Sequence, residues 1–232
     1  MRIRRATLET CHTATGTVVA IDVIRAFTTA AFAFAAGARD IVLAGQVEEA
    51  LALRERSPDA LLMGEVNGVQ PEGFDLGNSP SALTRLDLTG RRIIQRTSAG
   101  TQGVVRSTRA KALLASSFVC AAATAGYLRK QNPASVTFVV TGAGLRTDGD
   151  EDAACADYIQ ARLRGETPDV APFLRRVRDS TDGRFFEQVP PPFPMSDLDC
   201  CLSVNRFDFA MVVEQQDGLL VMQAVHQPGE VV

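Results

Sequence analysis

The sequence predicts an α/β fold of three layers, with helices covering both faces of a mostly parallel or mixed sheet. Short apolar runs of strand length alternate with segments of helical periodicity, which is typical of such folds. The chain has 232 residues, of which 46% are hydrophobic, and this is enough to bury a sizeable core. Near the C-terminus, two apolar runs flank a Gln-Gln-Asp-Gly turn and predict a final β-hairpin.

The first half of the chain alternates between the two kinds of element. Residues 17–22 ("TVVAID") predict a buried strand, and residues 26–36 predict a helix that ends at Gly37. A strand at 40–44, a helix at 47–56 and a strand at 60–63 follow in the same manner. After a long polar loop, Asn78-Ser79-Pro80 predicts a helix start, because a cap residue precedes a proline.

The second half continues the pattern and then changes. Strands are predicted at 92–96, 111–115 and 136–141, and helices at 118–130 and 151–163. From Gly165 onward, prolines such as the run at 190–194 interrupt regular structure, although residues 169–178 still favour a helix. The hairpin strands are predicted at 207–214 and 219–225. We expect one domain over residues 1–232, with a second lobe from about residue 110 as the alternative.

Composition excludes several classes of protein. The 24 Lys and Arg against 27 Asp and Glu give a net charge of −3, so there is no basic surplus for nucleic acid. The basic start at Arg2, Arg4 and Arg5 is interpreted as a solvated terminus. No apolar run approaches the roughly 20 residues of a membrane span, and the N-terminus lacks a signal-peptide core. We therefore expect a cytoplasmic protein without membrane contact.

Cysteine and histidine usage narrows the chemistry. The five cysteines form no Cys-x-x-Cys pair, and only two histidines are present, one near each end of the chain. A zinc site and a Ser–His or Cys–His nucleophile therefore have little support.

Polar residues collect directly after the predicted strands, where ligands bind in open α/β sheets. Each of them also has a structural explanation: Asp22 can cap a turn, the stem of Arg25 can cover apolar surface, and Asn78 can cap a helix. Together, however, they combine acids, an arginine and a loop rich in Gly and Thr at residues 97–103. The candidates are Asp22, Arg25, Glu65, Asp75, Asn78, Thr97, Ser98, Gly100, Thr101, Glu151 and Asp152. Oxygen ligands without histidine favour Mg²⁺, and this set suits phosphate chemistry.

Four motifs occur in the order seen in a known family. They are "AIDVIRAFTTA", "GEVNG" followed by "EGFDLGNSP", "TSAGT" and "DGDEDAACADYI". Over about residues 18–163, with weaker similarity at 197–204, the sequence resembles the 2-phosphosulfolactate phosphatase family. The resemblance implies a Mg²⁺-dependent α/β enzyme that hydrolyses a phosphate monoester, 2-phospho-3-sulfolactate, on a route to coenzyme M. It also implies self-association, from which we expect a homodimer.

The resemblance carries functional roles onto the same candidate residues, and the assignment of each role is our own inference. We expect Asp22, Arg25 and Asp75 to be catalytic, with Asp22 as base or nucleophile. We expect the substrate to be bound by Arg25, Asn78, Thr97, Ser98, Gly100 and Thr101. The metal is expected on Asp22, Glu65, Asp75, Glu151 and Asp152.

The sequence also departs from the family pattern. Val66, Asn67 and Ala99 stand where the family usually has Arg, Gly and Asn, so polar groups are missing near the expected anion site. The leading hypothesis is a Mg²⁺-dependent phosphatase that acts on a small phosphorylated acid, either 2-phosphosulfolactate or a related compound. The alternative is a phosphate-binding or regulatory protein on the same fold without turnover.

Overall fold

A computed structural model of the protein describes residues 1–143, 148–188 and 193–227. Part of the polar loop before residue 150 and most of the proline run at 190–194 lie outside the described residues. The strands are β1 (Arg2–Thr7), β2 (Gly16–Ile21), β3 (Asp40–Leu43), β4 (Leu61–Gly64), β5 (Arg92–Arg96), β6 (Ala110–Ser116), β7 (Ser135–Val140), β8 (Phe209–Gln216) and β9 (Leu219–His226).

The described strands form a single mixed sheet with the order β1-β7-β2-β6-β8-β9-β3-β5-β4. The four strands β1, β7, β2 and β6 are parallel neighbours, and so are β3, β5 and β4. The predicted C-terminal hairpin is confirmed, and it pairs antiparallel with β6 on one side and with β3 on the other. The last two strands of the chain therefore join the two parallel halves of the sheet.

Helices cover both faces of this sheet. They are α1 (Ala26–Ala35), α2 (Val47–Arg56), α3 (Pro80–Leu83), α4 (Gly100–Val105), α5 (Ala121–Gln131), α6 (Asp150–Leu163), α7 (Ala171–Asp179), α8 (Thr181–Gln188) and α9 (Met195–Cys201). Alternate residues of β2 show the two faces: Val18 packs in one apolar cluster with Phe27 of α1, and Val19 packs in another with Ile159 of α6. A third cluster places Ala50 of α2 against β3 and β5. The predicted three-layer arrangement is confirmed.

Two parts of the chain differ from the prediction. Residues Arg2–Thr7, interpreted from the sequence as a solvated terminus, form the edge strand β1, which pairs in parallel with β7. The strand was not predicted because its arginines interrupt the apolar run by which strands are recognised. Charged residues are nevertheless common on edge strands. Beyond Gly165, helices α8 and α9 were not predicted, because glycine and proline interrupt their apolar pattern.

The predicted start of α3 is confirmed. Ser79 is the cap residue, its Oγ accepts a hydrogen bond from the Ala82 N–H at 3.4 Å, and Pro80 occupies the first helical position. Within the described residues, no helix has both the length and the apolar character that a membrane crossing requires.

Candidate functional site

Asp22 directly follows β2 and lies at the carboxyl end of the sheet with 5% of its surface exposed. Its Oδ1 accepts a hydrogen bond from the Ala26 N–H at 2.8 Å, so the side chain also closes the turn into α1. Its own N–H donates to the Ser116 carbonyl of the neighbouring strand β6. The carboxylate is therefore held in a fixed position by two elements.

Asp152, in the first turn of α6, brings a second carboxylate to the same end of the sheet. Its Oδ1 accepts from the Val23 N–H at 2.8 Å, and its Oδ2 accepts from the Gly142 N–H at 2.9 Å. The Thr141 hydroxyl lies 3.3 Å from Asp152 Oδ2 and 3.4 Å from Asp22 Oδ2, and thus sits between the two carboxylates. Because both oxygens of Asp152 already accept backbone donors, its main effect is to hold the turn after Asp22.

Glu151 and Asp182 add two further carboxyl groups. Glu151 is 1% exposed, and its Oε2 has no hydrogen-bond partner among the described residues. Burial, together with the charges of Asp182 and Asp22, raises the pKa of Glu151 to about 8. Asp182, at the start of α8, has a pKa raised to about 6 by burial and by the charge of Asp148.

Burial and neighbouring charges also raise the pKa values of Asp22 and Asp152. Burial raises the pKa of Asp22 to about 7, the Ala26 N–H opposes this shift, and the charges of Glu65 and Asp182 add to it. Burial, with the charges of Glu151 and Asp22, holds the pKa of Asp152 well above its ordinary value. We refer to Asp22, Glu151, Asp152 and Asp182 as the acid cluster. Its members repel one another when ionised, so a proton or a cation from outside is needed to stabilise them.

Glu65 fastens two neighbouring loops. Its carboxylate accepts hydrogen bonds from the Ser98 N–H at 2.5 Å, from the Ser98 hydroxyl at 3.1 Å and from the Gly68 N–H at 2.5 Å. Asn67 and Gly68 have φ values of 51° and 85° and form a two-residue turn between Val66 and Val69. Positive φ at both positions is what Asn-Gly favours, so Asn67 is explained by the turn.

The segment 97–103 was predicted as one loop, and this is wrong in its second half, because α4 begins at Gly100. The hydroxyls of Thr97 and Thr101 each accept the other residue's N–H, at 3.0 and 2.9 Å, and fix the start of this helix. Among the described residues, the N–H groups of Ala99 and Gly100 donate no hydrogen bond. They remain available to an anion.

Gly100 lies against Asp22. A Cβ at this position would come within 2.8 Å of Asp22 Oδ2 and 2.6 Å of Ala26 Cβ, so only glycine fits. The start of α4 and the acid cluster therefore meet at Asp22.

Arg25, three residues after Asp22, is 6% exposed. Its Nη1 donates to Asp197 Oδ2 at 2.6 Å, and its Cζ lies 5.3 Å from the ring centre of Phe186 and 5.0 Å from that of Phe193. The two rings and the carboxylate restrict the guanidinium to one orientation. Nε and Nη2 donate no hydrogen bond within the described chain and so keep their capacity to bind an anion.

Asp197 of α9 accepts hydrogen bonds from other groups besides Arg25. Its Oδ1 accepts from the hydroxyls of Ser79 and Ser81 at 2.7 and 2.6 Å, and from the Ser81 N–H at 3.0 Å. The end of the "EGFDLGNSP" segment is thereby tied to Arg25 through one fully buried carboxylate. Neighbouring Asn78 is buried, and its Oδ1 has no hydrogen-bond partner among the described residues.

Asp75 lies elsewhere, contrary to the expectation from the sequence. Its Oδ2 accepts from the Leu62 N–H at 2.8 Å and pairs with Arg54 of α2. Leu62 precedes Glu65 by three residues, which is roughly 10 Å along a strand. The most polar motif of the sequence thus uses its central aspartate to fasten α2 to β4.

Three residues of the site were not among the candidates: Thr141, Asp182 and Asp197. Thr141 could have been found as the residue after β7, in the same position as Asp22 after β2. Asp182 and Asp197 lie in short helices and form no local motif with their neighbours. Arg25 and its partner Asp197 are 172 positions apart in the sequence, so the pair cannot be predicted from a local pattern.

The described residues contain no group of three or more His, Cys, Asp or Glu side chains arranged to hold a metal ion. This does not conflict with Mg²⁺, which typically binds one or two carboxylates and completes its shell with water and substrate phosphate. An unpartnered buried carboxylate oxygen on Glu151, beside carboxyls of raised pKa, fits such a cation.

Comparison with known proteins gives a consistent picture. A family model described as 2-phosphosulpholactate phosphatase matches residues 4–216, a span that includes the acid cluster, Arg25 and Asp197. A probable 2-phosphosulfolactate phosphatase of Bacillus subtilis is 34% identical over 211 residues, covering 89% of this chain and 91% of that protein. Proteins of the same name are 42% identical over 149 residues in Carboxydothermus hydrogenoformans (63% of this chain, 60% of that one) and 31% identical over 166 residues in Thermotoga petrophila (72% and 71%).

Proposed function

Because the chain belongs to the 2-phosphosulpholactate phosphatase family, a family of phosphoric monoester hydrolases, we propose that it hydrolyses the phosphate monoester of a small acid with the help of Mg²⁺. The first candidate substrate is 2-phosphosulfolactate, which the names of its relatives specify. The observation that supports this proposal most directly is the contact between Asp22 and Gly100. It brings the acid cluster together with free backbone donors at one end of the sheet.

Asp22 and Glu151 are the residues that would hold Mg²⁺. Asp22 lies next to the free donors, and Glu151 has a buried oxygen without a partner. Glu65 and Asp152 fit less well, because hydrogen bonds already occupy both of their carboxylate oxygens. When bound, the ion would supply positive charge that offsets both the carboxylates and the phosphoryl oxygens.

The chain's own groups would bind and orient the phosphate. The N–H groups of Ala99 and Gly100 would donate to phosphoryl oxygens, and Arg25 would donate from Nε and Nη2. Asp197 would keep the guanidinium in place, and Phe186 and Phe193 would shield it from water.

Asp22 is the proposed reacting carboxylate. It is the cluster member in contact with Gly100, so it lies next to the backbone donors that would bind the phosphate. As a base, it would take a proton from the water that attacks phosphorus. As a nucleophile, it would form an aspartyl phosphate while the P–O bond to the substrate breaks and the alcohol leaves with a proton from solvent; water would then cleave the aspartyl phosphate. Trapping a phosphorylated protein by acid quench distinguishes the two routes.

The acid part of the substrate is a separate question. Val66 and Ala99 bring no polar side chain to the loops beside Glu65 and Gly100, so recognition of a sulfonate would need other donors. Phosphorylated hydroxy acids of similar size, such as phosphoglycolate- or phospholactate-like compounds, are therefore proposed as competing substrates.

The test is phosphate release from a panel of such esters, 2-phosphosulfolactate included, with Mg²⁺ and with a chelator. Asp199→Asn serves as the matched control for Asp22→Asn, because Asp199 is an exposed aspartate. We expect release that requires Mg²⁺, persists in Asp199→Asn and is lost in Asp22→Asn. Release that is equal with and without chelator would exclude the metal role. Phosphate binding without turnover of any ester would favour the regulatory alternative.

The homodimer expected from the resemblance stays a prediction. Light scattering on the purified protein, at concentrations that span the assay range, measures its mass directly. A monomer mass throughout would contradict it.

A further inference from the structure

A second polar site lies at the opposite end of the sheet. A cleft of about 360 Å³ is lined by Arg39, Arg56, Arg91 and Arg92. Arg92 is the first residue of β5 and pairs in register with Asp40, the first residue of β3. Arg56 is the last residue of α2, just before β4. The cleft is therefore at the amino ends of β3, β5 and β4, whereas the acid cluster is at the carboxyl end of the sheet.

Three of the four arginines are oriented by hydrogen bonds to neighbouring groups, Arg92 most firmly. Asp40 is 5% exposed, and its two oxygens accept from Arg92 Nε at 2.7 Å and Arg92 Nη2 at 2.9 Å. The same carboxylate accepts from Arg39 Nε at 3.0 Å. Arg91 donates from Nε and Nη2 to the Asp59 carbonyl at 3.1 and 2.8 Å. Fixed guanidinium groups lose less entropy when they bind an anion.

These bonds leave donors unused. Within the part of the chain that the structure describes, the Arg56 side chain makes no hydrogen bond, and the Nη1 groups of Arg91 and Arg92 donate none. Four guanidinium groups stand against the carboxylates of Asp40 and Asp59 and that of Asp217 beside Arg56 and Arg92, which leaves a local charge of +1. The whole chain has a net charge of −3, so this excess is specific to the cleft. A compact anion would neutralise it.

We propose that the arginine cleft binds a phosphate group, either free or carried by a small ester, at a site separate from the acid cluster. Planar guanidinium groups match phosphate oxygens in paired hydrogen bonds, so several of them around one cleft favour a phosphate group over a singly charged carboxylate. The proposal does not depend on turnover at the acid cluster, since the two sites share no residue.

The test is a titration of ¹⁵N-labelled protein with inorganic phosphate, with sodium chloride adjusted to keep the ionic strength constant. The backbone amides of Gly90 and Arg91 report on the cleft, and the amide of Gly100 reports on the acid end. We expect saturable shifts at Gly90 and Arg91 in the wild type. A second titration with glycerol phosphate distinguishes a free phosphate site from an ester site.

Arg56→Gln is the informative variant, because Arg56 is exposed and makes no hydrogen bond that its loss would break. Arg109→Gln is the matched control, as it removes one exposed arginine outside the cleft. We expect Kd at Gly90 and Arg91 to rise about tenfold in Arg56→Gln and to stay unchanged in Arg109→Gln.

The proposal would be overturned by shifts that do not saturate, by equal shifts with chloride alone, or by the same Kd in Arg56→Gln as in the wild type. Shifts confined to Gly100 would also do so, while leaving the proposed active site intact. The spectrum of each variant before titration shows that it is folded.

Discussion

Two aspartates at opposite ends of the sheet have equally small exposed surfaces but pKa values shifted in opposite directions. Asp22 and Asp40 are each 5% exposed. Burial raises the pKa of Asp22 to about 7, and the nearby charges of Glu65 and Asp182 push it in the same direction. Burial also acts to raise the pKa of Asp40, but hydrogen bonds from Arg92 and Arg39 outweigh it and hold the pKa below its ordinary value.

The difference lies in which partners the fold supplies. Asp40 is neutralised within the chain, so its charge contributes to stability. Asp22 is surrounded by other carboxyl groups and accepts hydrogen bonds only from uncharged donors. Its negative charge therefore destabilises the folded protein. Uncompensated buried charge of this kind is typical of functional sites. We therefore expect substitutions at the acid end to change mainly the activity, and substitutions at the amino end to change mainly the stability.

The largest effect is expected for Asp22→Asn. Activity should fall by about 10³-fold or more, because the variant loses the reacting carboxylate. Asparagine can still accept the Ala26 N–H, and it removes one charge from the acid cluster, so the free energy of unfolding should not decrease. Steady-state rates and urea denaturation of the same preparation test both parts. If Asp22→Asn were clearly less stable than the wild type, the contrast with Asp40 would fail.

Asp197→Asn tests the one pair described above at the acid end in which a buried carboxylate is neutralised by an arginine, Arg25. Removing that charge leaves the guanidinium buried and poorly paired, which costs about 3 kcal/mol of stability. Activity should fall by about 10²-fold, because Arg25 is no longer held toward the substrate. Asp199→Asn, two residues along the same helix and exposed, should change neither quantity. Equal behaviour of the two variants would remove Asp197 from the site.

Gly100→Ala tests the contact between α4 and Asp22. The added Cβ would meet Ala26 Cβ at 2.6 Å and Asp22 Oδ2 at 2.8 Å, so one of the elements must move. Overpacking of this kind costs about 2 kcal/mol, and displacement of Asp22 should lower kcat about tenfold. Gly126→Ala is the control, as its Cβ would meet nothing within 4 Å inside α5, and it should be neutral or stabilising. Full activity in Gly100→Ala would show that Asp22 does not depend on this contact.

The sequence was informative about the acid cluster where the signal was local. Asp22 follows an apolar run, and Glu151 and Asp152 begin a helix after another, so their positions at the carboxyl ends of strands could be predicted from pattern alone. The alternation of strands and helices predicted the layers for the same reason. These features depend on residues within one or two turns of each other.

What the sequence did not predict depends on long-range packing. Asp75 stands in the most polar motif of the chain, yet Arg54 and the Leu62 N–H determine where its carboxylate points. The hairpin of β8 and β9 was predicted, but its insertion between β6 and β3 was not, because strand order depends on which edges remain unpaired after the rest has packed. The partner of Arg25 was missed for the same reason.

The smallest effect is expected for Asp40→Asn, which should change the free energy of unfolding. The pH dependence of this change shows whether the charge of Asp40 is its cause. The pKa of Asp40 in the folded protein lies below its ordinary value of 3.8, so the folded state holds the proton less tightly than the unfolded chain does. The pair with Arg92 and Arg39 therefore contributes to stability above pH 3.8, and this contribution is lost as the pH falls through the folded pKa.

At pH 7, Asp40→Asn should lower the free energy of unfolding by about 1–2 kcal/mol, a value discounted for the partial exposure of both arginines. The gap between wild type and variant should narrow as the pH falls below the ordinary carboxyl pKa of 3.8, because the wild type then loses the same charge by protonation. Asp59→Asn, an exposed carboxylate that lines the same cleft, should change stability by less than about 0.5 kcal/mol. Urea denaturation from pH 7 to pH 3 measures all three proteins. A gap that stays constant over this range would mean that the packing of Asp40, and not its charge, stabilises the amino end of the sheet.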